Sequence, residues 1–191
     1  AALNPDVIYL KDQGGMLTVD RLRTLVPIMI ENAGGIPFEL HSHCTMGLAP
    51  SVYMEAISLG VGVVHTGIPP LAEGSAQPSI LNVARNVRSL GHHTDIDDKL
   101  LESVADRLTR FAQSEKLPLG QPSEYNHMQF VHQIPGGVIS NLKFQLATVG
   151  LEERLDEVVA ETVEIRRELG YPIMITPYSQ HICTQAAMNV A

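Results

Sequence analysis

The feature that most constrains this chain is a set of three short apolar, strand-forming runs, each ending in polar residues. Val7 to Leu10 ends in Lys11-Asp12, Ile36 to Leu40 in His41-Ser42-His43, and Val61 to Val64 in His65-Thr66. Between them lie segments of helical period. Thr18 to Asn32 carries Leu22, Leu25, Val26 and Met29 on one side, and Pro50 to Leu59 is followed by Gly60, a helix stop. Strand, helix, strand, helix, strand in this order predicts right-handed βαβ units in a parallel sheet, where residues at the strand C-termini are the usual site of chemistry. Pro27 removes one backbone hydrogen bond inside the first helix, which predicts a kink or an early end there.

After Gly67 the apolar period becomes helical throughout. Ile80 to Leu90, Leu100 to Phe111, Val138 to Val149 and Leu155 to Leu169 each fit a helix, mostly amphipathic. The proline- and glycine-containing stretch from Leu117 to Gly137 is the best candidate boundary. Thr176-Pro177 reads as the start of a last helix, with Thr176 as N-cap and Pro177 in the first turn.

Composition excludes several classes. With 13 basic against 21 acidic residues and a net charge of -8, and no Lys/Arg-rich run, the chain is unsuited to neutralising a phosphate backbone, so nucleic acid is not expected as a partner. No apolar stretch reaches the roughly 18 residues needed to span a bilayer, and the start of the chain lacks signal-peptide character. A soluble, cytoplasmic protein is expected. Cys44 and Cys183 are too few and too far apart for a disulfide framework.

Strand alternation turns His41 and His43 the same way and Ser42 the other, so the two imidazoles can share one divalent cation; a surface or hydrogen-bonded pair is the commoner reading of an isolated His-x-His, and the position at the end of an apolar strand raises the metal reading. Lys11 at the mouth of a parallel sheet can supply a neutral amine, which takes up carbon dioxide as an anionic carbamate; the plainer reading is an ion pair with Asp12 or another carboxylate. Helix capping accounts for Thr176 on local grounds, and a plain turn accounts for Pro135-Gly136-Gly137. Cys44 reads as a small buried side chain, and His65 as a satisfied polar residue.

Five motifs occur in fixed order: Leu10-Lys11-Asp12-Gln13-Gly14-Gly15; His41-Ser42-His43-Cys44-Thr45-Met46-Gly47; Gln77-Pro78-Ser79; Ile134-Pro135-Gly136-Gly137 with Ser140-Asn141-Leu142; and Thr176-Pro177-Tyr178-Ser179-Gln180. Together they resemble the carboxyltransferase domain shared by pyruvate carboxylase, the oxaloacetate decarboxylase α subunit and transcarboxylase. The resemblance implies an α/β fold: residues 1–94 form the last three strands of a TIM barrel, and residues 95–191 an all-helical, funnel-like extension.

It also implies a biotin-dependent enzyme that transfers a carboxyl group between carboxybiotin and a 2-keto acid such as pyruvate or oxaloacetate. Lys11, carboxylated, and His41 and His43 become ligands of a divalent metal (zinc, manganese or cobalt). Thr176 carries a proton between biotin and the keto acid, and Ser179 lies near the biotin ring. No biotinyl-lysine segment of the Met-Lys-Met type is present, so a carrier on another domain or chain is the expected partner, within an oligomer. The chain departs from the family pattern in three places. Nothing corresponds to the first barrel strand with its aspartate ligand, and Cys44 and His65 stand where many relatives have aspartates. A biotin-independent metal lyase or synthase built on a related barrel and a non-catalytic assembly fragment are the alternatives.

Overall fold

The computed structural model describes residues 4–191, which form two compact units, one running to Tyr125 and the other Asn126–Ala191. The division falls inside the stretch from Leu117 to Gly137.

In the first unit three parallel strands, β1 (Ile8–Asp12), β2 (Phe38–Ser42) and β3 (Val63–Val64), make a sheet in the order β1-β2-β3. Helix α1 (Val19–Asn32) joins the first pair and α2 (Ala49–Ser58) the second. Thr18 caps α1 by accepting a hydrogen bond from the Arg21 N–H. The helix runs on to Asn32 with Pro27 inside it, so the early end expected at Pro27 does not occur. Helix α2 ends before Gly60, whose φ of +98° suits a residue without a Cβ.

The two faces of the sheet differ. Phe38, Leu40 and Ser42 are buried on one face, where Leu22 and Val26 of α1 and Val52, Tyr53 and Ala56 of α2 complete a core with Val61, Val83 and Val87. The register places Tyr9 beside Glu39 and Lys11 beside His41 on the other face, where these four are exposed or only half-buried. Parallel sheets are normally covered on both faces; among the described residues of this unit, helices cover one.

Helices α3 (Ile80–Ser89) and α4 (Asp98–Ser114) complete this unit, with Asp97 capping α4 through the Leu100 N–H at 3.0 Å. The second unit is helical: α5 (Gln129–His132), α6 (Gly136–Thr148), a 3-10 turn at Glu152–Arg154, α7 (Leu155–Glu168) and α8 (Tyr178–Val190). Ile134, Leu142, Leu146, Val158, Ile165 and Ile182 are among the residues of its core. Pro135 stands as the N-cap of α6, so Pro135-Gly136-Gly137 leads straight into the helix.

Candidate functional site

The C-terminal edge of the sheet is held by Asp12 and Tyr53. Asp12 Oδ1 accepts from the Met16 N–H (3.0 Å), and Oδ2 accepts from the Leu17 N–H (2.9 Å) and the Ser42 hydroxyl (2.8 Å). Its carboxylate is therefore committed to the loop after β1. Lys11, on the opposite face, is exposed and makes no ion pair among the described residues, so the pairing with Asp12 weighed from the sequence is not formed. The Tyr53 hydroxyl, buried beneath the edge, accepts from the Ser42 N–H at 3.1 Å and lies 2.6 Å from the His65 carbonyl, to which it donates. Gly15 (φ +64°) closes the loop where a Cβ would stand 2.5 Å from the His43 carbonyl oxygen.

His41 and His43 turn their Nε2 atoms towards each other, 3.1 Å apart. His43 Nδ1 lies 2.6 Å from the Ser75 carbonyl, which can only accept; Nδ1 therefore donates, and in the singly protonated ring Nε2 presents a lone pair. The Gln77 amide nitrogen, a donor, lies 3.2 Å from His41 Nε2, so that atom presents a lone pair as well. Two lone pairs at 3.1 Å cannot bond each other, but a cation about 2.1 Å from each nitrogen fits between them. Burial, and then the positive fields of His43, His65 and Lys11, bring the His41 pKa down to about 4, which keeps the ring in its ligating, uncharged form near neutrality. Among the described residues no group of three or more His, Cys, Asp or Glu side chains is arranged to hold a metal ion. The histidine pair thus offers two ligands and needs others of a different kind.

Cys44 is buried, and its thiol is pushed far up by burial, then by the charge of Glu73 and a hydrogen bond with it, which fits a structural side chain rather than a nucleophile. In the second unit, Pro177 rather than Thr176 is the N-cap of α8, and no side chain bonds the cap. The Ser179 N–H bonds the Ile175 carbonyl, and the Gln180 and His181 N–H groups bond the Pro177 carbonyl, so backbone oxygens rather than the Thr176 side chain close the first turn. The capping role expected for Thr176 is therefore not observed; the residue is exposed in the turn before α8. Ser179, in the first turn, is fully buried, and its hydroxyl has no hydrogen-bond partner among the described residues.

Sequence reading gave no role to Glu39, Ser75, Gln77 or Tyr53, although Gln77 stands in one of the five motifs. Glu39 precedes His41 by two residues and so shares its face, a signal the alternation rule contains. The others reach the site from loops and a helix, where no period places them.

Residues 130–191 match the conserved carboxylase domain family. The chain is 36% identical over 186 residues to a pyruvate carboxylase subunit of Methanocaldococcus jannaschii, covering 97% of this chain and 33% of that protein. It is 31% identical over 189 residues to the methylmalonyl-CoA carboxyltransferase 5S subunit of Propionibacterium freudenreichii subsp. shermanii, covering 98% and 37%. The chain belongs to the carboxyltransferase family of biotin-dependent enzymes. It spans about a third of the length of these curated relatives. Its fold matches the carboxyl transferase domain of Rhizobium etli pyruvate carboxylase, solved with pyruvate and biocytin, with a TM-score of 0.86 at 23% identity over 97% of this chain and 31% of that one. The carboxyltransferase relationship therefore covers both compact units.

Proposed function

We propose that this chain is the metal-holding part of a biotin-dependent carboxyltransferase that moves a carboxyl group between carboxybiotin and a 2-keto acid such as pyruvate or oxaloacetate. The observation that carries the reading is the pair of facing Nε2 lone pairs of His41 and His43, with Lys11 in register on the neighbouring strand. In this reading residues 1–94 are the last three strands of a TIM barrel, residues 95–191 are its helical extension, and the uncovered polar face of the sheet is barrel interior.

His41, His43 and carboxylated Lys11 hold a divalent cation of the zinc, manganese or cobalt type, which when bound polarises the keto-acid oxygen. Lys11, exposed and unpaired, is free to react with carbon dioxide, and the resulting carbamate replaces a positive charge with a negative one. The Thr176 hydroxyl, exposed and released from capping, carries a proton between biotin and the keto-acid carbon. Ser179 serves the biotin ring; because it is fully buried, it reaches the ring only if the first turn of α8 shifts. The biotin is borne by a carrier on another domain or subunit of an oligomeric assembly.

The test is carboxyl transfer by the intact polypeptide supplied with its biotin carrier and a panel of 2-keto acids. Loss of both transfer and bound metal in His41→Ala and His43→Ala, with folding preserved, is expected. Parental transfer by the double variant would overturn the reading.

A further inference from the structure

Beyond the two histidines that face each other, a third histidine and a carboxylate stand behind His41. His41 Nδ1 lies 3.0 Å from His65 Nδ1, and His65 Nε2 lies 2.8 Å from Glu39 Oε2. The rings of His41 and His65 meet nearly edge-on, at 83°. Both partners are held by the sheet itself: Glu39 is two residues before His41 on the same face of β2, and the backbone N–H of His65 bonds the Leu40 carbonyl at 2.9 Å.

Donor and acceptor roles along this row follow from its two ends. At one end the Glu39 carboxylate accepts, so His65 Nε2 carries the proton and, in the singly protonated ring, His65 Nδ1 is an acceptor. At the other end the Gln77 amide nitrogen donates to His41 Nε2, so His41 carries its proton on Nδ1. The two deductions are independent, and they meet correctly at the 3.0 Å contact: His41 Nδ1–H donates to His65 Nδ1. Reversing either of these two protons alone would set two donors or two lone pairs against each other at that contact.

We infer that Glu39 and His65 are positioning residues that hold His41 in the tautomer whose Nε2 lone pair faces His43. A ligating histidine is commonly fixed in this way through its other nitrogen by a carboxylate or carbonyl. Here a second imidazole is inserted between the ring and its carboxylate. The inference rests on the metal-site reading above, but it concerns ring orientation and protonation rather than carboxyl transfer.

The experiment uses the intact polypeptide with uniformly 15N-labelled histidine. The nitrogen shifts of His41 in the metal-free protein should show the proton on Nδ1, and a proton on Nε2 would overturn the inference. His65→Leu should mix the tautomers and weaken Zn2+ binding, measured by chelator competition, by about 10–100-fold. His65→Asn sets its Oδ1 where the His65 Nδ1 stood, an acceptor without the imidazole, and should recover most of the affinity. Equal Zn2+ affinity in His65→Leu and the parent would also overturn it. If His65→Leu does not fold, Glu39→Leu provides the second arm, with a smaller loss and a mixed His41 tautomer expected; a parental tautomer and affinity there would reject the role of the carboxylate. A protein that binds Zn2+ with the predicted tautomer yet transfers no carboxyl group would sink the functional proposal and leave this inference standing.

Discussion

At the scale of single residues, Thr176 shows how the structure changes the meaning of an experiment. Had its hydroxyl capped α8, Thr176→Ala would cost about 1 kcal/mol of stability whatever its catalytic role. Since Pro177 is the cap and Thr176 is exposed, the substitution is expected to leave the unfolding midpoint unchanged. If the hydroxyl relays a proton, carboxyl transfer by the intact enzyme should nevertheless fall on the order of 100-fold or more, with Thr176→Ser retaining part of it. Near-parental transfer in a folded Thr176→Ala enzyme would remove Thr176 from the mechanism. Lys11 gives a parallel case. Its amine has no ion pair to lose, so Lys11→Ala should barely alter stability but should lower metal content, and depleting carbon dioxide should lower the parent to the same level. Equal metal content in both proteins would argue against the carbamate. The facing of His41 and His43 was legible from the two-residue period of a strand alone. The place of Thr176 was not, because a Thr-Pro pair satisfies the same local rules one residue before the cap as at the cap itself.

At the scale of elements, the order β1-α1-β2-α2-β3 was legible because each strand is a short apolar run between helices of clear period. The helix α5 and the 3-10 turn at Glu152–Arg154 were not, since one turn is too short to show a period. Nor does any pattern indicate that Tyr53, on the buried side of α2, ties the end of β2 to the residue after β3. Its hydroxyl contacts the Ser42 N–H and the carbonyls of Ser42 and His65, all behind the histidine row. Tyr53→Phe keeps the ring and strands these backbone groups, so a loss of about 1–3 kcal/mol in chemical denaturation is expected, with weakened metal binding as His41 and His65 loosen. Unchanged stability would mean that the strand ends are held by the ladder alone. Gly15 tests the neighbouring turn. Gly15→Ala sets a methyl group 2.5 Å from the His43 carbonyl oxygen at a φ of +64°, and should reduce metal binding by displacing His43 even where the protein still folds.

At the scale of the whole molecule, the decisive property is what the first unit leaves uncovered. The outer edges of β1 and β3 have no strand partner among the described residues, and the face bearing Tyr9, Lys11, Glu39 and His41 is at most half-buried. Beside β3, a hollow of about 560 Å³ is lined by apolar residues including Val61, Val63, Ile80 and Val83. Unpaired edges next to apolar surface recruit further strands, from the same polypeptide or from another copy. If these edges belong to a barrel completed by other residues of a longer protein, the 191 residues alone should associate or unfold without a sharp transition, whereas a polypeptide of the length of the relatives should give a cooperative transition and bind metal more tightly. Sedimentation and thermal unfolding of the two proteins side by side make the comparison. A monodisperse, cooperatively unfolding monomer of the 191 residues would show that three strands suffice, and the barrel proposal would fall while the histidine pair on β2 remained.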